Sequence, residues 1–316
     1  MTIRWFGNSC ETFAGFGEMS HDLIVIGGDP IAPQVALEAA RQGLWTALVH
    51  KNDLNDWSDS MTADARIDHF WGNAEFISAN QVAIGQGKDR VVLDSARIVI
   101  ATGSRPLRPQ GIPFDGTTVL DANEARQDLP PRSAIIIGAS QTGLEIAQDW
   151  TKAGCTVKVL EQHPQRWLSR GATELARKAQ IAGVDCLFES EVVGIRSQKG
   201  RGVSVYVRNQ LPIRSEVVVV AVGRVGNIEM LNLEQIGLMA DERGRLWCDP
   251  HGQTWESSVF AIGSVVGYPE TMRHETDINR FVRRMAGKPV KHPHVPTPHL
   301  RLFAGEMLET VRVKAD

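Results

Sequence analysis

The chain has 316 residues, 42% of them hydrophobic and 22% charged. That is enough for two buried cores, because single domains run to about 100 to 200 residues. A formal net charge of -3 and a pI near 6.3 argue against the basic field that nucleic acid or an anionic membrane surface requires.

No apolar run approaches the ~20 residues that span a bilayer, and the opening residues lack the apolar stretch of a signal peptide, so a cytoplasmic setting is expected. Residues 1–21 are rich in Gly, Phe and polar side chains. They read as a loose N-terminal extension, with Met19 as an alternative start to Met1. Asp22 to Gly28 (DLIVIGG) has the continuous apolar character of a buried parallel strand. Pro30 to Gln42 follows with the helical spacing of Ile31, Val35, Leu37 and Ala40, and Trp45 to His50 completes a βαβ unit. Phe76 to Asp94 alternates as a small antiparallel meander, and Ala96 to Gly103 is another buried strand.

A second βαβ unit runs from Ser133 to Gly138, through a helix over Gln141 to Ala153, to a strand over Thr156 to Glu161. A helix over Gly171 to Ala182 and strands near Val184, Val192, Val203 and Val217 to Val222 finish it. Arg245 to Asp249 and Val259 to Gly263 read as strands, and Glu270 to Ala286 as one amphipathic helix. The Pro-rich stretch from Lys291 to His299 cannot be regular structure, so 291–316 is a tail.

Each βαβ unit carries a glycine fingerprint between strand and helix. In G-x-G-x-x-G the first Gly permits the tight turn, the second lets backbone approach a pyrophosphate, and the third lets helix pack on strand. The first candidate reads Gly27-Gly28-Asp29-Pro30-Ile31-Ala32, with Asp29 at the second glycine position. Its carboxylate either caps the helix or repels phosphate. At ~4 Å and an effective dielectric of about 20, two like charges repel by about 4 kcal/mol, roughly a thousandfold in affinity. At the end of the second strand stands His50, where an acid would take the ribose. The second candidate, Gly138-Ala139-Ser140-Gln141-Thr142-Gly143, keeps the first and third glycines and replaces the second by Ser140, which crowds a phosphate but can donate to it. Glu161 is placed to accept from a ribose 2'-OH and disfavours a 2'-phosphate, which predicts NAD(H) over NADP(H). The alternative is an empty Rossmann unit whose glycines serve packing alone.

With these residues in hand, the chain resembles the pyridine nucleotide-disulphide oxidoreductases, particularly dihydrolipoamide dehydrogenases and soluble pyridine nucleotide transhydrogenases. The matching stretches are DLIVIGG at Asp22, ALVHK at Ala47, GNAEF at Gly72, IVIATGSRPLRP at Ile98, GIPFDG at Gly111, IIIGASQTGLEIA at Ile135, VAVGRVGN at Val220 and FAIGSVVGYP at Phe260. The resemblance implies an α/β fold of two Rossmann-like dinucleotide-binding domains, the second inserted in the first. The FAD-type domain is expected over 22–113 and 240–290 and the NAD-type domain over 114–239. The C-terminal dimerisation domain, which carries the family's acid/base pair, is expected to be missing, and with it a family-type dimer.

Departures from the family pattern matter as much. The family's redox Cys-x4-Cys and flavin-facing Lys belong between the ALVHK and GNAEF stretches, where this sequence has only Asn52 to Trp71. Glu145 matches the glutamate that pairs with that Lys, and so loses its expected partner. The flavin-side positions Gly27, Gly28, Asp29, His50, Thr102, Gly103 and Ser264 form a degenerate FAD site, with Ser264 in place of an Asp that holds the ribityl chain. These changes count against FAD. They leave NAD(H) as the candidate nucleotide, held by Gly138, Ser140, Gly143, Glu161 and Gly223.

The four cysteines, Cys10, Cys155, Cys186 and Cys248, form no close pair, so neither a zinc site nor a redox dithiol is written locally. His292 and His294 make a His-x-His with no acid or Cys to complete a metal set, and read as ordinary tail residues. Trp57, Trp71, Trp167 and Trp255 fall in loops or element ends, where packing across shortened loops is the ordinary expectation and a partner surface the alternative. The leading function is therefore a non-catalytic relative that binds NAD(H) as a sensor or as a partner-binding protein. Two others stand beside it: an FAD-dependent NAD(P)H oxidoreductase using no disulphide, and an interaction protein binding no nucleotide.

Overall fold

The computed structural model describes residues 3–6, 9–12, 18–51, 66–85, 90–127, 129–198, 202–273 and 277–287. The expected cysteine-free connection after His50, the His-x-His, Trp57 and the tail lie wholly or largely outside them. The first unit contains β1 (Ile3–Phe6), β2 (Ser9–Thr12), β3 (Glu18–His21), β4 (Leu23–Ile26), α1 (Ile31–Arg41), β5 (Thr46–His50) and β6 (Ile67–Trp71). A meander of β7 (Ala74–Ser78), β8 (Gln81–Ile84) and β9 (Val91–Ser95) leads to β10 (Ile98–Ile100). Through β11 (Ser104–Pro106) the chain enters the second unit: β12 (Val119–Asp121), α2 (Ala122–Gln127), β13 (Ser133–Ile137), α3 (Gln141–Lys152), β14 (Thr156–Leu160), α4 (Arg170–Ile181), β15 (Asp185–Leu187), β16 (Val192–Gln198), β17 (Gly202–Val207), β18 (Ile213–Ser215) and β19 (Val217–Val220). It returns through β20 (Arg224–Gly226), β21 (Leu246–Trp247), β22 (Val259–Ala261), β23 (Val266–Tyr268), α5 (Glu270–Arg273) and α6 (Ile278–Met285).

The main sheet of the first unit has the order β2-β1-β6-β5-β4-β10-β22. Its strands β4, β10 and β22 are fully buried, which is why their sequences run apolar without alternation. Because β22 pairs in parallel with β10, Ile98 opposite Val259, the two ends of the first unit meet side by side and the second unit is inserted between them. The inserted unit has its own parallel sheet, β12-β19-β13-β14-β15, and its own core around Ile136, Leu144 and Val159. On the first sheet α1 presents Ala32, Val35, Ala36, Ala39 and Ala40 to the strands. These small side chains let the helix axis sit close, and α6 packs beside it.

Three expectations are corrected here. Residues 1–21 are not wholly a loose extension: β1 pairs antiparallel with β6 (Arg4 opposite Phe70), β2 forms the sheet edge, and β3 pairs with β9. At the end of β3 the buried His21 lies 2.9 Å from the Asp68 carboxylate, which also accepts from Trp45 Nε1 at 2.9 Å, so this segment is tied to the core by a polar contact. The single helix expected over Glu270 to Ala286 is instead two helices, α5 and α6, and α6 is capped by Asp277 accepting from Arg280 N. Trp167 and Trp255, expected to pack, are 66% and 60% exposed.

Candidate nucleotide-binding sites

The first fingerprint loop leaves β4 over the end of β10. Gly27 has φ +141°, and a Cβ there would lie 1.9 Å from the Ala101 carbonyl oxygen, so only glycine fits. Asp29 follows at the mouth of α1. Its Oδ1 accepts from Ile31 N at 3.1 Å and its Oδ2 from the Ser264 hydroxyl at 2.8 Å. The helix-cap expectation is therefore met only in part: one oxygen serves the first turn of α1, and the other crosses to the loop after β22. The carboxylate is wedged between two glycines. A Cβ on Gly103 would lie 3.0 Å from its Oδ2, and one on Gly263 would lie 3.3 Å from its Cγ. Asp29 thus fills the positive end of α1 with a negative charge supplied by the chain itself.

A cavity of about 340 Å³ opens on the β5 side of this loop, lined by Gly27, Gly28, His50, Thr102, Asn227 and Leu231 among others. His50 is buried at the end of β5, edge-on to the rings of His69 and Trp71 at 5.8 and 5.7 Å. Asn227 braces the wall by donating to the Thr102 carbonyl at 3.1 Å and accepting from Arg105 at 3.0 Å. The buried Thr102 hydroxyl has no hydrogen-bond partner among the described residues.

In the second unit the fingerprint keeps the expected geometry. Gly138 has φ +100°, and a Cβ on Gly143 would lie 2.6 Å from the Gly138 carbonyl oxygen, so the third glycine lets α3 approach β13. Ser140 caps α3, its Oγ accepting from Gly143 N at 3.1 Å, which leaves its hydroxyl proton available to a ligand. Glu161, just past β14, accepts from Ala139 N at 2.8 Å and His163 N at 2.9 Å. The carboxylate braces the fingerprint loop and retains lone pairs for a further donor. Gly223, after β19, has φ +136° and lies under the Arg243 guanidinium.

A second cavity, about 620 Å³, lies before this fingerprint and is lined by Ser140, Thr142 and Gly223 together with Arg126, Arg224, Arg243 and Arg245. Sequence reasoning missed these arginines, because they come from three separate stretches and no local motif marks them. Arg126 bonds Glu145 at 2.6 Å, so the glutamate left without its lysine has acquired an arginine. Arg245 pairs with Asp241. Arg224 donates to the Ser104 hydroxyl at 2.8 Å and Asn123 at 3.1 Å. Burial, then repulsion from Arg126, holds its pKa below the usual value against the pull of Asp29 and Asp121. The Arg243 guanidinium makes no hydrogen bond or ion pair with any described residue. The two cavities share no lining residue. Ser264 lines the second, and its partner Asp29 lines neither.

A family model described as pyridine nucleotide-disulphide oxidoreductase matches residues 21–277. The chain belongs to that family. It is similar to the soluble pyridine nucleotide transhydrogenase of Colwellia psychrerythraea, 34% identical over 222 residues that cover 68% of this chain and 47% of the relative. It is also similar to a dihydrolipoyl dehydrogenase of Rhizobium etli, 30% identical over 254 residues that cover 72% of this chain and 52% of the relative. The chain therefore spans about half the length of these curated relatives. Among solved structures, its fold resembles an HOCl-induced flavoprotein disulfide reductase from Escherichia coli (TM-score 0.69, 21% identity, 86% of this chain and 72% of that one). It likewise resembles LpdA from Mycobacterium tuberculosis (TM-score 0.71, 15% identity, 87% and 74%).

The described thiols of this member of the disulphide oxidoreductase family are held toward their protonated form. Burial, and secondarily a neighbouring acid, pushes Cys155 and Cys186 up to about 11 and Cys248 up to about 12. All three are free. Among the described residues no cluster of His, Cys, Asp or Glu can hold a metal ion, and no helix is long and apolar enough to cross a membrane.

Proposed function

We propose that this chain binds NAD(H) through its second dinucleotide unit, holds no FAD in its first, and carries out no disulphide chemistry, presenting the nucleotide-bound state to a partner protein. One contrast carries the reading. At the position that faces a pyrophosphate, the first fingerprint has the Asp29 carboxylate and the second has the Ser140 hydroxyl.

An FAD diphosphate would have to lie against the N-terminus of α1, where Asp29 already takes Ile31 N–H and sits in contact distance of Gly103 and Gly263. The residues there do not fit it. At the second fingerprint the residues do fit a dinucleotide: the α3 N-terminus and Ser140 for the diphosphate, Glu161 for the adenosine ribose, and the uncompensated Arg243 beside Gly223 for remaining negative charge. Bound NAD supplies a hydride acceptor, and NADH a donor. The described cysteines are free thiols, already reduced, and so are no acceptor for that hydride.

Titrating NADH while following tryptophan fluorescence tests the reading. Trp167 stacks at 5.3 Å on His163, two residues beyond Glu161, and reports on ribose binding there. A saturable change is expected, weaker with NADPH. No saturable change up to millimolar NADH overturns the proposal.

A further inference from the structure

A diphosphate at the α3 N-terminus fixes the direction in which a dinucleotide runs, and the two ends of that run meet unequal charge. We propose that the second unit distinguishes the redox states of its nucleotide, taking NADH in preference to NAD+, because Arg224 and Arg243 bring uncompensated positive charge to the nicotinamide end of the site. The inference rests on the NAD(H) reading given above and goes beyond it, since a dinucleotide site need not separate the two forms.

Strand order sets the direction. In the sheet β12-β19-β13-β14-β15 the fingerprint follows β13, Glu161 follows β14 on one side, and Gly223 and Arg224 follow β19 on the other. With the adenosine ribose at Glu161 and the diphosphate at Ser140, the nicotinamide half extends across the carboxyl ends of the strands toward β19. The 620 Å³ cavity lies on that side. Ser140, Gly223, Arg224 and Arg243 line it, and Glu161 is not among its walls.

Positive charge is in surplus there. Arg126 and Arg245 are matched by Glu145 and Asp241. The hydrogen bonds of Arg224 go to neutral groups, the Ser104 hydroxyl and carbonyl and the Asn123 side chain. Of the two acids that act on Arg224 at a distance, Asp121 is held by Arg108 at 2.7 Å and Asp29 by the Ser264 hydroxyl. The Arg243 guanidinium lies over Gly223, where a Cβ would come within 2.9 Å of it, and no described residue bonds it.

NADH and NAD+ offer the same diphosphate to Ser140 and the same ribose to Glu161, and contacts common to both set no preference. The two forms differ by one positive charge on the ring. That charge meets the two guanidinium groups, whereas the dihydronicotinamide is neutral and meets no repulsion. Arg243 is exposed, so solvent screening holds the expected preference to about tenfold. Equal affinity would leave occupancy blind to the NADH:NAD+ ratio, and a tenfold difference of about this size makes occupancy follow it.

Isothermal titration calorimetry of the full chain with NADH and with NAD+ tests the inference. NADH is expected to bind about tenfold more tightly. Arg243→Gln should narrow the gap to about threefold or less, and Arg243→Lys, which keeps the charge, should preserve most of it. NAD+ binding as tightly as NADH overturns the discrimination and leaves the NAD(H) site standing. A gap that survives Arg243→Gln unchanged, or one lost equally in Arg243→Gln and Arg243→Lys, overturns the role given to the Arg243 charge. Binding of neither nucleotide up to millimolar ligand overturns the NAD(H) reading itself and this inference with it.

Discussion

The Asp29 carboxylate accepts a 2.8 Å hydrogen bond from the Ser264 hydroxyl, across 235 residues of sequence. In the family pattern an acid is expected at the second of these positions and a glycine at the first. Here the acid has moved to the opposite side of the same gap. Relocating it puts the negative charge at the helix N-terminus, where an incoming diphosphate would otherwise receive its backbone hydrogen bonds. The two substitutions therefore compose one contact at the N-terminus of α1.

That contact can be measured through stability. Ser264→Ala is expected to destabilise the protein by about 1 to 2 kcal/mol, since it removes a hydrogen bond to a charged acceptor. Asp29→Ala should cost a similar amount or more, because it also strips Ile31 N of its partner. A double-mutant cycle by urea denaturation should give a coupling energy of about 1 kcal/mol. Strict additivity would show that the pair does not interact.

At the second fingerprint, Glu161→Gln keeps one acceptor oxygen for Ala139 N but removes the charge. NADH affinity should fall about 5- to 30-fold, the equivalent of about 1 to 2 kcal/mol. Discrimination against NADPH should narrow at the same time, because the acid no longer repels a 2'-phosphate. Fluorescence titrations with both nucleotides check this, and an unchanged NADH:NADPH ratio would remove Glu161 from the site.

Much of this architecture is legible in the sequence for local reasons. Continuous apolar runs such as Leu23–Ile26 mark strands buried on both faces, and the roles of Gly138 and Gly143 follow from steric contacts a few residues away. What was not legible depends on distant partners. Asp29 could be read as a cap or as a repeller, and only the fold brings Ser264 to it. Arg126 carries no motif, yet the packing of α2 against α3 sets it on Glu145. The four-residue strands Ile3–Phe6 and Ser9–Thr12 are too short to carry a periodicity, and it is the edge of β6 that pairs with the first and the first that pairs with the second.

Thiol reactivity follows from the raised pKa values of Cys155, Cys186 and Cys248. At neutral pH their thiolate fractions should lie at least about a hundredfold below that of an ordinary cysteine, and that of Cys248 at least about a thousandfold. Peptide-resolved mass spectrometry after iodoacetamide treatment should show these three alkylated far more slowly in the native protein than in urea. Rapid native labelling of any of them would reopen a thiol mechanism.

Acid sensitivity has an identifiable contributor in Asp115. Partial burial pushes its pKa up, but hydrogen bonds from the Thr118 hydroxyl and from the Val119, Thr118 and Thr117 amides outweigh this and hold it well below the ordinary carboxylate range. A depressed native pKa means that its stabilisation is complete above the unfolded value, about 3.9, and is lost as pH falls toward the native value. Asp115→Asn should therefore be less stable than the parent at about pH 7 and closer to it at about pH 3. Denaturation curves at both pH values check this. An equal gap at the two would contradict it.

The most direct test of the central claim is flavin retention. Purified chain is incubated with excess FAD, passed through a desalting column, and its absorbance is read in the flavin bands alongside Asp29→Gly, Ser264→Asp and the double substitution. The account predicts a colourless unsubstituted protein, with any gain of colour confined to variants that clear the carboxylate from the α1 N-terminus. Stoichiometric flavin carried through the column by the unsubstituted chain would contradict it.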